Sequence, residues 1–236
     1  MGNRTRDAGG RLYAGGAALI LTLACAGTLT LFSAEIAING DLVERAAVPL
    51  RMLALVGLAT LLLAWSGDRW STVGLTRPAS VRRAAGLIIL GYLGVALVAA
   101  ACHMLLPVLG IAPKLSIIFG ALRGNTAEYL YWLLPVAWGS AAFGEELVFR
   151  GCLQSRLERL FGSGKGAAFL AAIVQAMIFG AMHGYQGAGG AMLAGGTGLV
   201  LGLVYVVGGR NLWACIVLHG LIDTVSLTAL YLDAMP

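Results

Sequence analysis

Charge is what this sequence has least of. Only 11% of its 236 residues are Asp, Glu, Lys or Arg, where a soluble domain carries about a quarter. With 59% of residues hydrophobic, that shortage excludes a water-soluble globular domain. Cysteine is also scarce. Cys25, Cys102, Cys152 and Cys215 fall in separate apolar runs without a CxxC pair, so neither a disulfide framework nor a cysteine metal centre is expected. They read as small buried packing residues. The segment GSGKG (162–166) lacks the GxxxxGK[ST] spacing and follows no strand, which excludes a phosphate loop. There is no internal repeat and no low-complexity tail.

What is there is a set of long apolar runs. They lie near Leu12–Ser33, Ala46–Trp65, Ala84–Leu109, Tyr129–Leu153, Ala167–His183, Ala191–Val207 and Leu212–Leu232. A helix needs about 20 apolar residues to cross the hydrocarbon core. The expected fold is therefore all-α, a polytopic membrane helix bundle of about seven transmembrane helices in one domain, 1–236. The short stretch Leu115–Leu122 is expected to be a re-entrant or interfacial piece; as a span it would make eight.

The net charge of +5 does not point to nucleic acid, because the bases are sorted by loop. Arg4, Arg6 and Arg11 precede the first run. Arg69, Arg77, Arg82 and Arg83 lie between the second and third, Arg156, Arg159 and Lys165 between the fourth and fifth, and Arg210 between the sixth and seventh. With seven spans these share one side, while Glu35, Asp41 and Glu44 lie on the other. The positive-inside rule then puts the basic N-terminus (1–11) in the cytosol, as in a bacterial inner membrane. The first run is too long for a signal peptide and shows no clear cleavage site, so it is expected to be retained. The loop SGDRWSTVGLTRPASVRR (66–83), entered from Trp65, suits the headgroup region. Gly198 and Gly202 form a small-xxx-small pair that favours close packing inside the bundle.

Ionisable groups inside spans are costly and usually face the bundle interior. Here they are Glu145, Glu146 and Arg150 in span four, His183 ending span five, and His219 and Asp223 in span seven. Glu146 and Arg150 stand at i,i+4 with the acid first, the favourable order for an ion pair. Glu145 points about 100° away, among Ala141, Ala142, Val148 and Phe149, which cannot neutralise it. It needs a partner from another helix, a proton or water. His219 and Asp223 share a face, so Asp223 either orients the ring or joins it in one cavity. Phe179 and His183 share a face of span five. His103 has no polar neighbour at helical spacing and reads as structural. A carboxylate base, two imidazoles and a second carboxylate are the parts for activating water and stabilising an oxyanion. His183 lies far along its span from Lys165, whereas Glu145 and His219 sit nearer the middle.

In order, EELVFR (145–150), FGAMH (179–183) and HGLID (219–223) resemble the EExxxR, FxxxH and HxxxN/D motifs of the CPBP family. That family comprises the CAAX prenyl proteases and the bacteriocin-processing or immunity (Abi) enzymes. The resemblance covers about Tyr129 to Leu232. It implies a glutamate-type intramembrane endopeptidase in which Glu145 with His183 activates water and His219 with Asp223 stabilises the oxyanion. Glu146, Arg150 and Phe179 would support the site. Eukaryotic members carry Asn where this chain has Asp223, and an ionised carboxylate cannot donate to an oxyanion. Either Asp223 is protonated, or it orients His219. Glu, His, His and Asp are also zinc donors, but HExxH is missing and the resemblance implies a metal-free reaction without cofactors. The expected partners are the lipid bilayer and a membrane-associated peptide or protein substrate. A prenylated protein, a bacteriocin leader and a C-terminal sorting anchor all fit the family. A non-proteolytic immunity or scaffold protein of the same family is the competing reading, and a proton-coupled transporter ranks behind it, since no related halves are present.

Overall fold

The computed structural model describes residues 2–30, 42–111, 122–162 and 164–232. Of the expected Leu115–Leu122 piece only Leu122 is among them, and Glu35, Asp41 and the side chain of Glu44 also lie outside. Seven long helices follow one another: α1 (Gly2–Thr30), α2 (Leu42–Trp65), α3 (Val81–Leu105), α4 (126–161), α5 (Lys165–Met182), α6 (Gly187–Val207) and α7 (Leu212–Tyr231). No strand occurs among the described residues. Six of these helices are long and apolar enough to cross a membrane. The remaining one, α4, holds the buried charges.

The bundle is apolar outside and carries a minority of charged and polar groups inside its apolar core. Leu19, Leu23, Leu53, Leu61, Leu90, Leu97 and Met177 on α1, α2, α3 and α5 are exposed, and α3 buries only Gly91 and Val95. Such a surface suits hydrocarbon. By contrast, every residue from 146 to 158 on α4 is buried. One side, with Val148, Phe149, Cys152 and Leu153, packs on α1, α2 and α5. The other, with Leu147, packs on α6 and α7. A helix wrapped on all sides can carry charge at membrane depth because its charges meet protein and not lipid.

Two details of α4 depart from the sequence expectation. It is longer than Tyr129–Leu153, and its middle, Trp132–Gln154, has π-helical hydrogen bonding between α-helical ends. Pro135 sits inside this segment and offers no N–H to an α-helical ladder. Wider π turns are often found at functional sites.

Close approach elsewhere depends on glycine. A Cβ at Gly180 would lie 2.7 Å from the Ala191 carbonyl oxygen and 3.0 Å from the Gly195 Cα, so α5 and α6 touch backbone to backbone. Gly198 and Gly202 serve the bundle interior, as expected. Their carbonyls accept from Arg150 Nη2 (3.0 Å), Gln175 Nε2 (2.9 Å) and Gln154 Nε2 (3.2 Å). These bonds glue α4, α5 and α6 where no water is available.

The loop 66–83 is stitched into the bundle and does not simply rest on a membrane surface. Trp65 is exposed, but Trp70 packs against Gly151 and donates to Thr60. Tyr205 Oη donates to the Val73 carbonyl, Asn211 Nδ2 to that of Thr76, and the Leu212 N–H to that of Gly74. Gly74 is obligatory there, with φ 103° and its missing Cβ 1.6 Å from the Arg210 oxygen. Asp68 receives Arg156 (2.7 Å), Arg159 (2.6 Å) and Ser66 (3.0 Å), and Arg210 pairs with Glu158 at 2.7 Å. Charged residues of the 66–83 loop, the end of α4 and the turn between α6 and α7 thus meet at one end of the bundle. Burial by itself raises the Asp68 carboxyl, but hydrogen bonds from Arg159, Arg156 and Ser66 outweigh it and hold it well below the usual carboxylate range.

Arg156 is fully buried, so removing its carboxylate strands a charge, a change that costs about 3–5 kcal/mol. Asp68→Asn is expected to lower the thermal unfolding temperature in detergent. A depressed folded-state value stabilises above the unfolded one, near pH 4, and the gain fades as pH falls further. The gap between wild type and variant should therefore hold steady from pH 7 to 5 and narrow below pH 4.

Candidate active site

The polar groups of α4 are presented by their neighbours on both sides. Glu146 is fully buried and its Oε1 takes two donors: Arg150 Nη1 at 2.7 Å and His219 Nδ1 at 2.8 Å. The first is the i,i+4 pair expected from sequence. The second reaches from α7, and it gives Glu146 a task beyond holding its own helix. Gly220, next to His219, makes this approach possible, because a Cβ there would sit 2.6 Å from the Trp138 ring. Trp138 Nε1 donates to Thr224 Oγ1 one turn further along.

Phe179 is the second organising residue. Its ring lies 4.8 Å from Arg150 Cζ, 4.6 Å from the His183 ring and 6.3 Å from the His219 ring. Phe149 meets it edge-on at 4.9 Å. The Phe179 carbonyl also accepts from His183 Nδ1 at 2.8 Å. A carbonyl can only accept, so Nδ1 carries a proton, and in the neutral ring Nε2 keeps its lone pair. His183 itself ends α5, and a short 3₁₀ turn, Gly184–Gln186, leads into α6.

Glu145, His183, His219 and Asp223 all line one cavity of about 330 Å³, together with Phe179. This answers the question of depth: the end of α5 and the middle of α4 open into the same space. Glu145 Oε2 is buried without a hydrogen-bond partner, in line with the expectation that its own helix offers none. Asp223 Oδ2 lies 3.7 Å from His219 Nε2, beyond hydrogen-bond length. The ring is held by Glu146 at one nitrogen, and Asp223 stands off the other. His103 is exposed and apart from the cavity.

Some lining residues were not singled out in the sequence. Arg51 and Met52 come from α2, Ser140 from α4, Tyr185 and Gln186 from the 3₁₀ turn, and Thr197 from α6. Arg51 is a lone base inside the second apolar run, a signal the sequence does carry. Ser140, Thr197 and Gln186 carry none, since such residues occur in any helix or turn. Among the described residues, no group of three or more His, Cys, Asp and Glu is arranged to hold a metal ion.

No curated protein and no solved structure matches the chain. A family model does, and it is described as "Type II CAAX prenyl endopeptidase Rce1-like". Its match begins at the first turn of α4 and ends on α7, taking in the EELVFR, FGAMH and HGLID segments. Residues 127–225, which form most of the cavity wall, thus match the Rce1-like family of type II CAAX prenyl endopeptidases.

Proposed function

We propose that this integral membrane protein is an endopeptidase that hydrolyses a peptide bond inside the bilayer with a water activated by Glu145 and His183. The observation that carries this reading is the convergence of an unpaired buried carboxylate oxygen and an imidazole with a free Nε2 on one cavity. Burying such groups without use is costly, and the family match supplies the reaction class.

In this mechanism the substrate carbonyl enters the cavity between α4 and α7. Glu145 takes a proton from water while His183 Nε2 accepts a hydrogen bond from its other hydrogen and aligns it. The water oxygen bonds to the carbonyl carbon, and the carbonyl oxygen becomes an oxyanion. His219, protonated at both nitrogens, donates Nδ1–H to Glu146 and Nε2–H to that oxyanion. Asp223 lies beside Nε2 as a counter-charge and need not donate, which accommodates an acid where related enzymes carry Asn. When the intermediate collapses, the C–N bond breaks and Glu145 passes its proton to the leaving amine. Glu146, Arg150 and Phe179 position these groups and touch no reacting atom.

The substrate is a membrane-associated peptide or protein segment. The loops rich in Arg at one end of the bundle support an inner-membrane location with the N-terminus in the cytosol. We further propose that the reaction uses no metal, supported by the finding that, among the described residues, no three His, Cys, Asp or Glu side chains are grouped closely enough to hold one ion.

Glu145→Gln and His183→Ala are each expected to cut cleavage of a membrane-tethered reporter peptide by about 10²–10⁴-fold, with thermal unfolding unchanged. Full cleavage by both variants would sink the proposal and favour a scaffold or immunity role. Glu146→Gln should act differently, lowering stability and activity together, because it strips the partner from buried Arg150 at a cost of about 3–5 kcal/mol. Dialysis against EDTA or a zinc chelator should leave turnover intact; loss of turnover restored by zinc would replace the metal-free mechanism.

A further inference from the structure

The cavity contains a second cation that the proposed chemistry does not use. Arg51 lies on α2 within a membrane span and lines the cavity alongside Glu145 and Asp223. Among the described residues it makes no hydrogen bond and no ion pair. Its neighbour along the helix shows what a satisfied guanidinium looks like. Arg45 grips Glu128 through both terminal nitrogens, at 2.6 and 2.8 Å, and stacks over Tyr131 at 4.2 Å. Arg51 lies six residues further into α2, about 9 Å deeper at 1.5 Å per residue.

Its height relative to Glu145 follows from the helix crossing. A Cβ on Gly144 would stand 2.3 Å from Met52 Cγ, so α2 and α4 cross where Met52 meets Gly144. Arg51 and Glu145 are the residues beside that contact, and both face the cavity. Opposite charges at one level that are not paired leave the space between them for something else. An unpaired guanidinium at membrane depth is costly and matches a carboxylate in charge and fork geometry. The rest of the wall near it is apolar, with Val48, Met52, Leu55 and Val136.

We propose that Arg51 is an anion-binding subsite that takes a carboxylate carried by the peptide substrate, seating an apolar segment so that a bond close to that carboxylate reaches Glu145. This rests on reading the cavity as a peptide site. The carboxylate has two sources, the free C-terminus of the peptide or an acidic side chain near it. A cavity of about 330 Å³ holds only a short segment, so the anionic group and the cleaved bond lie within a few residues of each other.

The test uses the full chain in lipid nanodiscs and three fluorescent apolar peptides: one with a free C-terminal carboxylate, the same peptide as its amide, and the amide with a Glu near its end. Binding is measured on Glu145→Gln protein, where turnover does not interfere. The acid should bind about tenfold more tightly than the amide, as one charge-assisted contact supplies. Adding Arg51→Gln should bring the ratio near one, and adding Arg51→Lys should keep part of it. Tight binding of the Glu-containing amide assigns the side chain as a source; weak binding assigns the terminus alone. Equal binding of acid and amide, no binding of either, or a ratio that survives Arg51→Gln overturns the proposal. If wild type cleaves none of the peptides while the binding ratio stands, the protease reading fails and the anion subsite remains.

Discussion

The Glu146 carboxylate is the joint on which this bundle's interior depends. One oxygen takes a guanidinium from its own helix and an imidazole from α7. Separately, each of these groups would be an uncompensated charge or an unoriented ring at membrane depth. Together they neutralise and fix each other. Arg150 then reaches on to the Gly198 carbonyl of α6 and lies over Phe179 of α5, so a single contact ties four helices. An ion pair of this kind is a weak source of net stability but a strong determinant of which arrangement forms.

Its consequences extend to the chemistry. Glu146 Oε1 holds Arg150 and His219 and this side chain does not line the cavity, so Glu145 is the acid left facing open space, and because Glu146 holds His219 at Nδ1, the other ring nitrogen faces Asp223 and the cavity. Phe179 does for His183 what Glu146 does for His219. Its carbonyl takes the Nδ1 proton and its ring sets the plane. Each imidazole therefore has one nitrogen tied to structure and one to spare. Adjacent residues of one helix, Glu145 and Glu146, are separated in role by the direction in which each points.

Glycine placement makes these contacts reachable. Gly220 admits Trp138, Gly180 admits the α6 backbone, and Gly144 admits Met52. Each lets two helices come closer than side chains allow, and each sits beside or near a residue of the cavity. Polar glue adds to them, Gln175 bonding α5 to α6 and Gln154 bonding α4 to α6. In a lipid setting there is no hydrophobic drive between helices, so small residues and buried polar bonds have to supply the specificity of packing.

Much of this was legible beforehand. Composition and seven apolar runs determine a membrane helix bundle, since few charges and long apolar stretches leave no aqueous alternative. The i,i+4 spacing of Glu146 and Arg150 determines their pairing, and the three motifs in order determine the kinship of 127–225. Local periodicity sees contacts along one helix and stops there. That His219 would bind Glu146 and not simply Asp223, that α4 would widen into π geometry, that the 66–83 loop would be sewn to α6 and α7, and that Arg51 would join the cavity were decided only by the tertiary structure. These are contacts between helices far apart in the chain, set by how the bundle packs.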